Sequence, residues 1–176
     1  MKTNTTPANK QRNLSLKLVF IYLNFIAFLF VLQILNAQVV KFDDYIQELK
    51  MQKSAHKLEQ AEHLHSFAFD LHPTFYVNNN QIITTDSELP TCGEIDYDDF
   101  QLLSSPNSKF ENVEFLTIRL KTPKTQKVNL NLLSNLQNLK YIYFICEYSC
   151  DSSSIEQLLE GTNTEIKILY SIIIPN

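Results

Sequence analysis

The stretch Leu133–Phe144, LSNLQNLKYIYF, constrains this chain more than any other. Its apolar residues Leu133, Leu136, Leu139, Ile142 and Phe144 follow one another at spacings of three, three, three and two. A period of three that gives way to a period of two marks a tight turn running into a short strand, because successive strand residues point to opposite faces.

The pattern recurs. Phe110, Val113, Leu116 and Ile118 repeat it, as do Leu58, Ala61, Leu64, Phe67 and Phe69. A degraded copy holds Ile166, Leu169 and Ser171, with Leu158 and Leu159 upstream. Val113 to Leu139 is 26 residues, Leu139 to Ile166 is 27, and Leu64 to Val113 is 49, close to two such steps. Asn112-Val113 matches Asn138-Leu139 in register. In this periodicity the chain resembles a short, irregular leucine-rich-repeat protein of the exported bacterial kind. The resemblance covers about two thirds of the chain beyond residue 37. It implies an α/β leucine-rich-repeat-like solenoid with a short parallel sheet, an N-terminal helical cap and an inserted hairpin. It implies no catalytic residue and no cofactor.

Glycine is scarce, at Gly93 and Gly161 alone. Phosphate-cradling loops and dinucleotide turns need several glycines at fixed offsets, so the common nucleotide folds are excluded. Charge is divided unevenly. Lys2, Lys10, Arg12 and Lys17 precede the 18-residue apolar run Leu18–Leu35, and no acid occurs before Asp43. The remainder holds 11 Lys/Arg against 19 Asp/Glu, a formal charge of −8. So acidic a domain repels a phosphate backbone, and nucleic acid is not an expected partner. Residues 1–37 read as a secretory signal peptide cut after Ala37, or as an uncleaved membrane anchor. Either way the folded part is exported, and membrane contact is confined to residues 18–35 if they are retained.

Residues 38–63 are expected to form the helical cap, with a helix over 42–62 whose first turn carries Asp43 and Asp44. The repeat-like domain is expected over 64–176, with an insertion at 72–109. Within it, residues 64–71 read as the first strand and Thr74–Thr85 as a hairpin turning at Asn78-Asn79-Asn80. Residues 86–109 read as an acidic loop in which Asp98-Asp99 starts a short helix. Strands are expected over 115–119, 141–145 and 168–172. Asp151 and Ser152–Ser154 form an N-cap cluster for a helix through Leu159, ended by Gly161.

In the repeat the leucines point inward, and the residues between them form ladders on the concave face. The expected ladders are Phe115, Tyr141 and Ile168; Thr117, Tyr143 and Tyr170; and Arg119, Ile145 and Ile172. Such a face is aromatic and aliphatic with one arginine, the residue types enriched at protein contacts. Phe115, Thr117, Arg119, Tyr141, Tyr143, Ile168 and Tyr170 are therefore the candidate partner-binding residues. The competing reading is that the chain's own hairpin or N-terminal helix covers this face.

Cys92, Cys146 and Cys150 permit one disulfide or three buried thiols. His56, His63, His65 and His72 lie close in sequence but lack a zinc-protease signature and read as surface residues, so no metal site is assigned. The first functional expectation is a non-enzymatic scaffold that binds a protein partner, or itself, through the concave sheet. The alternatives are a small exported α/β enzyme of hydrolase type, which requires a pocket joining a histidine to Cys92 or a carboxylate, and a membrane-anchored structural subunit.

Overall fold

The computed structural model describes residues 39–78, 80–85, 89–161 and 165–175. The expected signal peptide or anchor lies outside them. Among the described residues, no helix is long and apolar enough to cross a membrane.

The chain is mixed α/β, with a mostly parallel seven-stranded sheet and a few helices. It starts with β1 (Val39–Lys41), then α1 (Phe42–Met51) and α2 (Ala55–Phe69). The hairpin β2 (Thr74–Asn78) and β3 (Gln81–Thr84) follows, then β4 (Cys92–Asp96), β5 (Phe115–Leu120), β7 (Tyr141–Cys146) and β9 (Lys167–Ile172). A separate two-residue pair joins β6 (Val128–Asn129) to β8 (Leu159–Glu160). Across the large sheet the order is β1-β9-β7-β5-β4-β2-β3, parallel throughout except for β2 against β3. β1 therefore lies beside the last strand in sequence, so the N-terminal segment closes the C-terminal end of the sheet.

The returns between β4, β5, β7 and β9 are tight. They run through 3₁₀ turns at Tyr97–Ser104, Ser108–Phe110 and Leu130–Asn135 and through α3 (Ser152–Gln157). Cys92, Phe115, Tyr141 and Lys167 stand side by side, so the register advances 23, 26 and 26 residues per strand. The N-cap expected before α3 is present: the Asp151 carboxylate accepts from Ser154 N–H at 2.8 Å. Asn80 takes φ of 61° in the hairpin turn, the left-handed conformation that asparagine tolerates.

Alternation along each strand separates two cores. On one face Leu116, Ile118, Leu120, Ile142, Phe144, Cys146 and Ile168 pack against the 3₁₀ turns through Phe100, Leu103, Phe110, Leu130 and Leu133. On the other, Phe115, Tyr141, Tyr143, Ile145 and Leu169 pack against Phe42, Ile46, Leu49, Ala61, Leu64 and Phe67 of the two long helices. β7 lies between both layers, and all six of its residues are buried, which is why YIYFIC is an unbroken apolar run.

Several expectations are corrected. Residues 64–69 are helical, not a strand: α2 continues through Phe69 and crosses the expected boundary at residue 63. Spacings of three in LEQAEHLHSF satisfy a helix face as well as a repeat turn, and no glycine or proline stops the helix. The expected single helix over 42–62 is two, divided at Gln52–Ser54, where Lys53 has φ of 48°. These helices do not cap the end of the stack; they lie across one face of the sheet. Residues 92–96, expected in a loop, form a full strand between β2 and β5, so the segment 72–109 supplies three strands of the sheet. The expected helix at Asp98-Asp99 is a 3₁₀ turn. Gly161, at φ of 89°, follows β8 rather than ending α3 directly.

Candidate functional site

Each expected partner-binding residue has a definite place. Phe115, Tyr141 and Tyr143 do share one face, as alternation requires, but the face is occupied. Phe67 stacks over Phe115 with ring centroids 5.5 Å apart. Phe42 packs on Tyr143 at 5.0 Å, and Gln60 of α2 donates to the Tyr141 hydroxyl at 2.9 Å. Phe115 is 1% exposed and Tyr143 3% exposed. The expected open concave surface is thus an inner core roofed by α1 and α2, as the competing reading held.

Ile168 and Tyr170 lie on the opposite face. Tyr141 pairs with Lys167 and Tyr143 with Leu169, so the ladders run Phe115-Tyr141-Lys167 and Thr117-Tyr143-Leu169. A register shift of one residue sends every side chain of a strand to the other face. Ile168 is buried in the 3₁₀ core and Tyr170 packs against it. For the same reason Ser171, not Ile172, continues the ladder of Arg119 and Ile145.

Thr117 and Arg119 remain. They stand beyond the helical roof, where the chain leaves α2 at Asp70 and turns through His72 into β2. There a recess of about 150 Å³ opens, floored by Phe67, Phe115 and Ile145 and edged by Glu94, Arg119 and His72. Arg119 Nε donates to Glu94 Oε1 at 2.5 Å, and this bond keeps the guanidinium pKa raised. The pair bridges neighbouring strands, since Asp96 stands beside Arg119 and Glu94 beside Thr117. Leu71 projects fully exposed at the rim, and Phe69 is more than half exposed. Glu94, Phe69, Leu71 and His72 were not among the sequence candidates. Recognition of 92–96 as a strand places Glu94 opposite Thr117 and diagonal to Arg119, within reach of its guanidinium.

Further ion pairs repeat that spacing: Lys121 to Asp96 at 2.6 Å, Lys124 to Asp98 at 2.8 Å and Lys140 to Glu114 at 2.8 Å. Each joins one return of the chain to the next. Exposed pairs of this kind contribute little stability, but they favour one alignment of neighbouring strands over its neighbours.

The histidines are dispersed. His56 and His63 line an open cleft of about 680 Å³ between α2 and the start of β7. His65 lies against Phe69 and His72 against Phe67, at 4.7 and 5.1 Å. Among the described residues, no group of three His, Cys, Asp or Glu side chains is placed to hold a metal ion.

Cys146 and Cys150 form a disulfide, with Cα atoms 6.6 Å apart, and Cys92 is a buried free thiol. The recess brings His72 together with Cys92, Asp70 and Glu94, which is the constellation the enzyme alternative requires. The chemistry of Cys92 opposes it. Burial pushes the thiol up to about 11, so at neutral pH it is not the thiolate that nucleophilic attack needs. No protein-family model, no curated protein and no solved structure matches this chain.

Proposed function

We propose that this protein is an exported, non-enzymatic binding scaffold, and that it meets a protein partner at the uncovered shoulder of the sheet around Thr117, Arg119 and Leu71. One observation carries the reading: a fully exposed leucine stands beside a small recess with an apolar floor and a charged rim, on a sheet face whose central strands are roofed by α1 and α2. A recess of about 150 Å³ suits one inserted side chain rather than a cofactor, since small-molecule sites are usually about 300–1,000 Å³. An aromatic floor with an arginine at the rim is the composition of a contact centre. The steps of 23, 26 and 26 residues, with tight 3₁₀ returns, support the leucine-rich-repeat-like solenoid as its framework. The Cys146–Cys150 bridge supports export, because disulfides persist in oxidising compartments.

A photo-crosslinking residue at position 71 in the full chain tests the surface, with position 51 as control. Met51 is also exposed but lies at the far end of α1 from Phe42, which touches Phe69. Adducts should form from position 71 and not from 51. They should weaken in Arg119→Gln at a nearly unchanged melting temperature, because a neutral side chain there loses only a partly exposed ion pair. Equal adducts from both positions, or none from 71, reject the shoulder. N-terminal sequencing of exported protein should begin at Gln38, whereas an intact N-terminus held in membranes identifies the anchored form.

A second reading, a small exported hydrolase, draws on the 3.1 Å hydrogen bond between Ser66 Oγ and His72 Nε2. Loss of a hydrolytic activity in Ser66→Ala, with folding and crosslinking intact, would favour it over the scaffold.

A further inference from the structure

On the side of the sheet that packs against the 3₁₀ turns, a second cavity lies apart from the shoulder. It holds about 630 Å³ between the loop 123–127, the turn 148–149 and residues 154–158 in and just after α3. That volume falls within the about 300–1,000 Å³ of small-ligand sites.

Each wall is anchored. The loop has no regular structure of its own, yet three bonds hold it. Lys124 Nζ donates to both carboxylate oxygens of Asp98 at 2.8 Å. The Tyr97 hydroxyl donates to Gln126 O at 2.5 Å, and Val128 N–H donates to Leu158 O at 2.7 Å. The Cys146–Cys150 disulfide closes the turn, whose Tyr148 packs against the first core. The α3 wall is fixed by the Asp151 cap and by buried Ile155 and Leu158. A site anchored in this way loses little freedom when it is occupied.

The lining selects the chemistry of the ligand. Among the described residues no carboxylate lines the cavity. The two nearest in this account are engaged elsewhere, Asp98 by Lys124 and Asp151 by Ser154. Lys127 lines the cavity and has no side-chain partner among the described residues. One uncompensated ammonium suits a single negative charge. A dianionic phosphate or a polyanion would be opposed by the formal charge of −8 carried beyond residue 37. Hydroxyls of Thr125, Tyr148 and Ser149 and the amide of Gln157 supply most of the remaining polar surface. An apolar acid would leave them dehydrated and unpaired, at a cost in free energy. A polyhydroxylated ligand would pair with them.

We propose that this cavity binds a saccharide unit bearing a single carboxylate, with Lys127 on the carboxylate and the hydroxyl and amide side chains on the sugar hydroxyls. Tyr148 and Leu158 offer the apolar contact that the C–H face of a sugar ring requires. The shoulder around Leu71 belongs to the opposite face of the sheet, so either proposal can fail without the other.

The test titrates the full chain with two probes of one shape, methyl glucuronide and methyl glucoside, followed by ligand-observed saturation-transfer NMR. The glucoside lacks the carboxylate. The glucuronide should bind roughly tenfold more tightly, the worth of a hydrogen bond to a charged group. Lys127→Gln should remove that preference and leave glucoside binding unchanged. Thr125→Tyr narrows the cavity and should abolish binding of both sugars, and both variants should keep the wild-type melting temperature. Acetate at equal concentration should not displace the glucuronide. Failure of both sugars to bind overturns the proposal, as does equal binding of the two. So does a preference that survives Lys127→Gln, or binding that survives Thr125→Tyr. Displacement by acetate reduces the site to a carboxylate contact and overturns the saccharide.

Discussion

Tyr143 shows how far one side chain can decide between readings of a face. It is sealed between Phe42 at 5.0 Å and Phe115 at 5.7 Å, so its removal leaves a cavity rather than a lost contact. Tyr143→Ala should cost about 3–5 kcal/mol, in the same range as the about 2–5 kcal/mol expected for Leu139→Ala on the other face. Thermal melting of the two variants should show comparable falls; an unperturbed Tyr143→Ala would mean that the helices do not roof the sheet in solution. Arg119→Ala, by contrast, opens a partly exposed ion pair and should leave stability nearly unchanged. Cys92 adds a dependence on pH. The folded chain holds the thiol proton up to about 11, whereas the ordinary value is 9.0. The stabilisation is therefore fully present below pH 9 and is lost as pH rises toward 11, because over that interval the unfolded chain has released a proton that the folded chain retains. Denaturant titrations should show this alkaline decline, and Cys92→Ala should flatten it. Tyr97, pushed by burial from 10.0 to about 12, adds a decline of the same sign from pH 10 upward, and burial raises Tyr45, Tyr143 and Tyr148 in the same direction, so a decline remains in Cys92→Ala.

At the level of elements, the sharpest constraint is the contact between β2 and β4. A Cβ added at Gly93 would overlap the Phe75 ring, which is fully buried. Gly93→Ala should cost about 1–3 kcal/mol through overpacking, and Phe75→Leu should relieve part of it. A double-mutant cycle showing simple additivity would contradict that contact. The same glycine explains why β4 was not legible in the sequence. CGEID has one large apolar residue and a glycine, and its burial comes from Phe75 and the neighbouring strands rather than from its own pattern. β5 and β7 were legible because FLTIRL and YIYFIC carry strand alternation or a continuous apolar run, and their inward residues Leu116, Ile142 and Phe144 are buried as expected. The strand expected at 64–71 falls largely within α2 because spacings of three fit a helix and a repeat turn alike. In the recess Phe115, Thr117, Arg119 and Tyr143 are legible from strand alternation, whereas Glu94 lies on a strand without an apolar pattern and Asp70, Leu71 and His72 lie in the loop after a helix whose spacings of three also fit a repeat turn.

For the whole molecule, the decisive feature is where the chain begins its fold. The parallel pairing of β1 with β9 joins the first described residues to the last strand, and Val39 is buried opposite Ile168. A sheet that ended at β9 would expose the backbone edge of a six-residue strand whose centre, Ile168 and Leu169, is fully buried in the native fold. Such an edge is a template for pairing with other chains. β1 covers half of that strand and then feeds directly into α1, whose Phe42, Ile46 and Leu49 help roof the second core. The segment therefore acts twice, once as an edge strand and once as the lead-in to a covering helix. A cut after Ala37, where the signal-peptide reading expects it, would leave Val39–Lys41 intact, so a chain starting at Gln38 should melt cooperatively. A chain starting at Phe42 keeps every residue of α1 but lacks β1. It should melt at a lower temperature and associate with rising concentration through the bared β9 edge, seen as slowed exchange of β9 amides in the associated fraction. If the shorter chain melts like the longer one and stays in the same association state, β1 is dispensable, and the closure of the sheet by its own N-terminus does not contribute to stability.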